Sequence, residues 1–514
     1  MPLIGNFFRG RAALFGGVQV QTPYDPLILK VEFEGNNYQS LPPPATIQKA
    51  KSRFNFGAVY RYSPSVDFTL GVQRGNVATL GVALHFPLDR LSTPKINDPA
   101  LPRFVAERPA VANWTSTAKD LTAQTGWRVA DISQQGRVLR VEFSDAEAVY
   151  WRDMIERATA VLHRDAPATV DEFRFIFKGR GALLADIGVE RGQWVKANAQ
   201  PALPSDTYAA AQPLPSDRPD AVAAPVSPIY HAMGDTLSGD VAVRVKQNFG
   251  GPDGFLLYQV GVEGTSEWRL SDNTWLSGSL DVRALDNYRK FRYTAPSDLP
   301  RVRTYAREFL TTSRITMPTF QLTSAGQLGM NQFYSVYGGY LESMYAGVGG
   351  EWLYRPFRGP LALGVDINAV RQRNFNQKFG LRRYHVVTGH VTAYIETGWN
   401  DVIAKVSAGQ YLAGDRGATL DLSRRFSNGV TFGAYATKTN VSAAKFGEGS
   451  FDKGIYFNIP FSAFSTRSSP EVGTFTYAPL TRDGGAKLDR AFPLYDITSI
   501  RDPRALAIAP ATTR

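Results

Sequence analysis

The second half of the chain repeats a two-residue alternation of apolar and polar side chains, with turns rich in Gly, Asn and Asp between the repeats. Residues 240–247, 361–368 and 402–408 are the clearest cases. In residues 361–368 the apolar members are Leu361, Leu363, Val365 and Ile367. Successive side chains of a β-strand point to opposite faces of its sheet, so the pattern predicts strands with one aliphatic face and one charged face.

A chain with this many such strands and almost no helix between them must protect its sheet edges. Closure into a barrel removes the edges, and in an outer membrane the aliphatic face meets lipid while the charged face lines a wet lumen. We count roughly 12–14 candidate strands between residues 236 and 477. The predicted fold is therefore mainly β, an antiparallel outer-membrane β-barrel with a small intervening α+β domain.

Composition narrows the classes of function. The 514 residues contain no cysteine, which excludes disulfides, thiolate metal sites and a lipid-modified Cys within them. They contain no run of about 18 apolar residues that would form a transmembrane helix. The net charge of +11 suits an anionic partner, such as lipopolysaccharide phosphates or an acidic polysaccharide. Nucleic acid is disfavoured, because the basic residues are dispersed and form no reader motif.

The first 87 residues show five alternating segments with short turns. They are Ala13 to Gln21, Leu27 to Glu34, Phe54 to Arg61, Phe68 to Arg74 and Thr79 to Phe86. Five strands leave an open sheet, so residues 1–87 are predicted to be the closing strands of an incomplete first barrel. Residues 1–17 lack a basic n-region, an unbroken apolar stretch and a cleavage site, so no signal peptide is present and we expect the natural start to lie upstream.

The middle of the chain changes pattern. Residues 88–113 are predicted to be a connector, 114–192 a small α+β periplasmic domain and 193–228 a Pro- and Ala-rich linker. Residues 229–478 follow as the second barrel, and 479–514 as a C-terminal segment ending in a disordered tail. Within the small domain, Ser144 and Glu147 form the pattern of a capping box, which predicts a helix from Ser144 to about Leu162.

Several long segments, in order, resemble the YjbH/GfcD-like proteins of exopolysaccharide and group 4 capsule operons. They are GRAALFGGVQVQTPYDPLILKVEFEGNNY (10–38), GGYLESMYAGVGGEWLYRP (338–356), YLAGDRGATLDLSRRFSNG (411–429), GEGSFDKGIY (447–456) and PLTRDGGAKLDR (479–490). The resemblance implies a Gram-negative outer-membrane protein with two tandem barrels, separated by a soluble domain and involved in polysaccharide export. It also implies that this chain lacks the N-terminal portion of such a protein.

Charged and hydroxyl-binding residues on the predicted lumen face are candidates for a polysaccharide-binding or passage surface. They are Arg244, Lys246, Asp281, Arg283, Asp366, Asn368, His390, Glu396, Lys405, Asp421 and Arg425. Rings of charge set selectivity in channels, and mixed acids and bases suit sugars that offer both donors and acceptors. The alternative is an interior filled by mutual salt bridges with no passage.

Two loops are further candidates. The basic segment 283–307 carries Arg289, Lys290, Arg292, Arg301, Arg303 and Arg307, which in an external loop would bind lipopolysaccharide phosphates or an acidic polymer; in a solvated loop they need no partner. The second loop carries Gly447, Glu448, Asp452 and Lys453, and is interpreted either as a latch folded into the barrel mouth or as a structural turn.

No pattern for catalysis, cofactor or metal emerges. The five histidines lack ligand spacing, and neither a GxSxG turn nor a phosphate-binding Gly loop is present. We therefore expect a non-catalytic protein without a cofactor that supports exopolysaccharide secretion or surface assembly. Two alternatives stay open: a non-conducting scaffold that docks periplasmic export proteins, and an outer-membrane enzyme that modifies polysaccharide or lipid through His390.

Overall fold

The computed structural model describes residues 13–35, 50–85, 87–102, 112–199, 211–214, 227–232, 236–251, 253–446, 450–478 and 481–508. The chain divides into two compact units, Met1–Leu91 and Ser92–Arg514. Strands and helices are numbered here in chain order, and most of the described residues outside turns lie in antiparallel sheets.

The first unit is a five-stranded antiparallel sheet in which each strand pairs with the next along the chain. Its strands are β1 (Phe15–Gln21), β2 (Leu27–Glu34), β3 (Phe54–Ser63), β4 (Val66–Gln73) and β5 (Val77–Leu84). Alternation places Leu29, Phe56, Leu70 and Leu80 on one exposed apolar face. The five predicted strands are confirmed.

The second unit begins with a small domain, defined here as residues 112–231, in which helices pack on a six-stranded sheet. Its elements are α1 (Trp114–Thr125), β6 (Arg128–Gln135), β7 (Val138–Ser144), α2 (Trp151–Asp165), β8 (Glu172–Gly179), β9 (Ala182–Glu190), α3 (Arg191–Ala199), β10 (Ala211–Leu214) and β11 (Ser227–His231). The sheet order is β10-β9-β8-β7-β6-β11, and only β7 and β8 are parallel among these described strands. The centroid of the Trp127 ring lies 5.1 Å from that of Phe143, 5.0 Å from that of Phe177 and 5.4 Å from that of Trp151, so the core is aromatic.

The helix of the small domain does not begin at Ser144, and the predicted capping box does not form, so both predictions are wrong. Ser144 ends β7, and α2 begins at Trp151 with no side-chain cap. Asp145 is not in a helix: its φ is +46°, and its carboxylate accepts a hydrogen bond of 3.1 Å from the Arg180 backbone N–H and pairs with Arg269. The predicted linker also contributes structure, because its described residues complete α3 and add β10 and β11 to the sheet edges.

The rest of the second unit is a fourteen-stranded antiparallel sheet. Its strands are β12 (Leu237–Gly251), β13 (Gly254–Ser271), β14 (Thr274–Asp286), β15 (Ile315–Thr316), β16 (Phe320–Gly329), β17 (Gln332–Tyr340), β18 (Tyr345–Tyr354), β19 (Leu361–Arg373), β20 (Leu381–Glu396), β21 (Val402–Gln410), β22 (Arg416–Arg425), β23 (Thr431–Thr439), β24 (Asp452–Pro460) and β25 (Val472–Tyr477). Three short helices accompany it: α4 (Ala306–Thr311), α5 (Ala443–Phe446) and α6 (Leu494–Ile497). Among the described residues no pairing joins β12 to β25, so closure into a barrel is a proposal taken up below.

The two faces of this sheet differ as the alternation predicts. Leu361, Leu363, Val365 and Ile367 of β19 are exposed, whereas Asn368 of the same strand is 1% exposed. The face that carries Asn368 is called the interior face below. None of the helices in the described ranges has the length and apolarity needed to cross a membrane.

The sheet curves around residues 481–508, called the C-terminal segment below. Phe492 of this segment contacts Trp275 on β14 at 5.5 Å, and a Cβ added to Gly485 would lie 2.8 Å from Thr437 on β23. Strands are spaced about 4.8 Å apart, so β14 and β23 would be about 38 Å apart in a flat sheet. The seven Cα–Cα steps from Gly485 to Phe492 span at most about 25 Å. The interior face is therefore concave, with the segment inside it.

Candidate functional site

Four residues that the sequence placed on the lumen face lie side by side on the interior face. The strand register pairs Asp366 with His390 and Lys405 with Asp421. Glu351, which is not among the predicted lumen residues, is the cross-strand neighbour of Asp366. Directly opposed Cβ atoms are about 5 Å apart, so these side chains form two short polar rows across β18 to β22.

Hydrogen bonds fix the first row. The Tyr337 hydroxyl donates to Asn368 Oδ1 at 2.6 Å, and Asn368 Nδ2 donates to Asp366 at 2.9 Å. His390 Nδ1 lies 3.9 Å from Asp366, and its ring packs 4.8 Å from Tyr411. His390 is 6% exposed, and its Nε2 has no hydrogen-bond partner among the described residues.

The C-terminal segment completes these rows from the other side. Arg490 Nη1 lies 2.9 Å from Glu351 and Arg490 Nη2 4.0 Å from Asp366. The Leu494 backbone N–H donates to Glu351 at 2.9 Å. Burial lowers the pKa of the Arg490 guanidinium, but the neighbouring Glu351 and Asp366 carboxylates more than offset this effect, so the pKa lies above its ordinary value. The segment is therefore held by charge as well as by packing.

Aromatic stacking and a second set of ion pairs hold the end of the segment. The Tyr495 ring stacks on Tyr394 at 3.8 Å with 6° between the planes. Two predicted lumen residues form ion pairs with the segment: Glu396 lies 3.2 Å from Arg504, and Arg425 lies 3.2 Å from Asp502. These residues fill the end of the interior nearest the small domain.

The same end of the segment joins the sheet to the small domain. Arg501 is 1% exposed and donates to the carbonyls of Leu184 at 3.1 Å and Arg355 at 3.0 Å. The predicted disordered tail is wrong for its first residues, because Ala505, Leu506 and Ile508 are all at least nine-tenths buried. Residues 509–514 lie outside the described residues.

At the opposite end of the strands, Asp483 anchors the basic loop. It accepts hydrogen bonds from the backbone N–H groups of Val302 and Arg303 at 2.8 Å and of Thr304 at 3.0 Å. Gly485 follows with φ +78°, a conformation that favours glycine. Asp483 therefore fastens the backbone of the basic loop to the C-terminal segment.

The structure divides the six basic-loop residues. Arg303 lies 2.6 Å from Glu342, and Arg307 donates to the Phe291 carbonyl at 2.9 Å, so both bind groups of the protein. Arg301 donates to the Thr304 carbonyl at 2.7 Å. The three exposed members are Arg289, Lys290 and Arg292. Arg301 and Arg307 therefore tie the loop to itself, and Arg303 ties it to Glu342, which follows β17.

The remaining predicted residues lie apart from the rows. Those on β12 to β14 form ion pairs within these strands: Lys246 pairs with the predicted residue Asp281 at 2.7 Å, whereas Arg244 pairs with Glu263 and Arg283 with Asp286 at 3.3 Å. Gly447 and Glu448 lie outside the described residues, Asp452 begins β24, and Lys453 Nζ lies 4.4 Å from the Phe451 ring centroid. Two aromatic side chains near strand ends, Trp275 and Tyr411, are at most 1% exposed.

Between the rows and the C-terminal segment lie two small cavities, of about 190 and 250 Å³, called the chamber below. Lys405 and Lys487 line both. Burial and the neighbouring Lys405 lower the pKa of Lys487 to about 8. The chamber also presents Thr392, Tyr435 and Asp421, so it offers donors and acceptors suited to hydroxyl groups.

Lys487 and Arg490 were not singled out as lumen residues, although PLTRDGGAKLDR is a charge-dense segment that follows the last strand. The density of charge in this segment is visible in the sequence, whereas its position against the interior face of the sheet is not. Among the described residues no group of three His, Asp or Glu side chains is placed to hold a metal ion.

Nearly the whole chain matches a known protein family. The family model described as "Exopolysaccharide biosynthesis protein YbjH", of the YjbH family, matches residues 3–500. A relative from Escherichia coli (strain K12), called "Uncharacterized lipoprotein YjbH", is 38% identical over 521 residues. The alignment covers 96% of this chain and 72% of the relative.

Proposed function

The chain belongs to the YjbH family of exopolysaccharide biosynthesis proteins, and from that premise we propose that it is a non-catalytic outer-membrane β-barrel protein that supports secretion or surface assembly of an exopolysaccharide. The observation that carries the proposal is the inverted sheet. Its aliphatic residues are exposed and its charged residues face the concave side. Leu361, Val365 and Ile367 each gain about 25 cal/mol for every Å² moved from water into lipid.

The proposal includes closure of the sheet and a location in the envelope. An open fourteen-stranded sheet would expose the backbone groups of β12 and β25 to lipid, at several kcal/mol for each unsatisfied group. The lipoprotein name of the relative supports an envelope location. We place the small domain on the periplasmic side, because it packs against the end of the strands with the shorter turns, such as the one between Ser271 and Thr274.

The chamber supports a polymer-handling role without catalysis. It combines cations, carboxylates, hydroxyls and aromatic rings, the mixture that binds hydroxyl-rich sugars. His390 has no serine or cysteine nucleophile among its described hydrogen-bond partners, and Asp366 is occupied by Asn368 and Arg490. The energy for synthesis and movement of the polymer would come from partner proteins.

Complementation tests this proposal. A strain that makes the polymer but lacks the gene should secrete less of it, and the full-length natural gene should restore the amount in the medium. His390→Ala should restore it equally, and purified protein should leave polymer length unchanged. Polymer cleavage by the purified protein that disappears in His390→Ala would replace the proposal with an enzyme.

A second candidate, a non-conducting scaffold for periplasmic export proteins, is favoured by the occupied interior. The C-terminal segment fills the concave face through Arg490, Tyr495 and Arg501. Conductance in planar bilayers separates the candidates. An exporter should be closed at rest and conduct when Arg490→Ala frees the segment, with Arg416→Ala as a matched control. A scaffold should not conduct in any of the three forms.

A further inference from the structure

A pocket at the loop end of the strands gathers arginine and tyrosine side chains. Its volume is about 440 Å³, and it is lined by Arg301, Tyr305, Gln372, Arg382, Arg383 and Tyr384. Volumes of about 300–1,000 Å³ are typical of sites for small ligands. Of these six residues, only Arg301 is among those predicted from the sequence to bind an anion.

Two of the cations share one aromatic ring. The guanidinium carbon of Arg301 lies 3.9 Å from the Tyr305 ring centroid, and that of Arg382 lies 4.5 Å from it. Arg382 is also 4.1 Å from the Phe375 centroid. Cation–π contacts hold the two guanidinium groups in place without neutralising them.

Carboxylates are scarce around these groups. The shortest described ion pair of Arg301 is with Glu308 at 3.9 Å. Within the described part of the chain, no carboxylate oxygen lies within 4.0 Å of the guanidinium nitrogens of Arg382 or Arg383. The Nη1 atom of Arg382 is buried and has no hydrogen-bond partner there. Neighbouring like charges repel, and a buried unpaired donor is costly, so an anion in the pocket would relieve both effects.

The other lining groups are fixed by the fold. Gln372 Nε2 donates to the Arg301 carbonyl at 2.8 Å, and the Tyr384 hydroxyl donates to the Leu412 carbonyl at 2.6 Å. These bonds tie the pocket wall to β19, β20 and the loop, so the arginine forks are preorganised. A planar guanidinium matches the two oxygens of a carboxylate or phosphate.

We propose that this pocket, defined by Arg301, Arg382 and Arg383, binds the carboxylate of an acidic sugar unit in a polysaccharide. The proposal rests on the proposed function and names its substrate class. A sugar carboxylate fits better than a lipid headgroup, because two of the cations approach the pocket from inside the strand ends, whereas a lipid lies against the aliphatic exterior. The neutral amide and phenol groups beside them suit the sugar hydroxyls.

Binding of defined oligosaccharides by the full chain in lipid nanodiscs tests this. The probes are an oligogalacturonate, its neutral methyl ester, inorganic phosphate and lipopolysaccharide, with Kd measured by calorimetry at two salt concentrations. The acidic oligomer should bind, the ester should bind at least about tenfold more weakly, and affinity should fall with salt.

Charge-neutral variants locate the site. Arg383→Gln is exposed and should weaken binding of the oligogalacturonate about tenfold without unfolding the sheet, as Arg382→Gln should if circular dichroism shows that it folds. Arg416→Gln is the matched control: it removes an exposed arginine bonded to Gln410 and should leave Kd unchanged. Equal binding by the acid and its ester, or an unchanged Kd in Arg383→Gln, overturns the proposal.

Two outcomes separate this proposal from the one on which it rests. If only lipopolysaccharide binds, and loses affinity in Arg383→Gln, the pocket holds a lipid phosphate and the sugar assignment is wrong. If no probe binds while the natural gene still restores secretion, the pocket proposal fails and the proposed function stands. If the acidic oligomer binds but secretion is not restored, the proposed function fails instead.

Discussion

The small domain and the fourteen-stranded sheet use the same alternation with opposite polarity. In β7, Leu139, Val141 and Phe143 are fully buried. In β19, Leu363 and Ile367 are exposed, whereas Ala362, Gly364 and Asn368 at alternate positions are buried. A period of two therefore reports strand geometry but not which face is enclosed. Helices cover the apolar face in the small domain; in the large sheet a charged segment covers the polar face.

The largest test of this contrast truncates one aromatic side chain in the small domain. Phe143→Ala should lower the free energy of unfolding by about 3–5 kcal/mol, because Phe143 is 0% exposed and packs on Trp127 and Phe177. Urea unfolding followed by tryptophan fluorescence measures it. Leu363→Ala is the control on the exposed face and should cost far less; equal costs would contradict the inverted arrangement.

A charge on the aliphatic face tests whether that face meets lipid. Ile367→Arg, in the middle of β19, should cost about 2–4 kcal/mol when the protein is folded in lipid vesicles. The neighbouring substitution Asp366→Arg instead removes the carboxylate that faces Arg490 and His390, and it separately probes the interior face. If Ile367→Arg is neutral in vesicles, this part of the exterior does not lie in the bilayer core.

The interior should show a pH dependence that the apolar core lacks. The pKa of Lys487 is lowered from 10.5 to about 8, so the unfolded chain binds more protons than the folded one between these values. Stability should therefore rise as pH increases from about 8 to about 10.5. The difference in urea midpoint between the wild type and Lys487→Met isolates this effect; a constant difference from pH 7 to pH 11 would show that Lys487 is not desolvated.

The smallest test compares two lysine–carboxylate pairs of equal length. Lys178 lies 2.7 Å from Glu142 in the small domain, and Lys246 lies 2.7 Å from Asp281 in the large sheet. Glu142 is 25% exposed and Asp281 only 3%. Lys178→Ala should cost under about 1 kcal/mol. Lys246→Ala should cost more, because it leaves a buried carboxylate unpaired. Paired denaturation curves at one pH measure both.

Local pattern was sufficient for much of the fold. The five strands of the first unit, a strand count within 12–14 for the large sheet, and the two-faced character of β19 all follow from a period of two. Family membership followed from long ordered segments. The sequence predicted helix ends less well. Ser144 and Glu147 match a capping box, yet Arg180 and Arg269 hold Asp145 in a left-handed turn.

The candidate site divides in the same way. The sequence determined that Asp366, His390, Lys405 and Asp421 share one face, because side chains alternate along every strand. Only the tertiary structure decided that Lys487 and Arg490 lie against them, and that Arg382 and Arg301 meet at one ring. Those contacts join residues far apart in the chain, and they depend on how a sheet of many strands curves, which no local periodicity records.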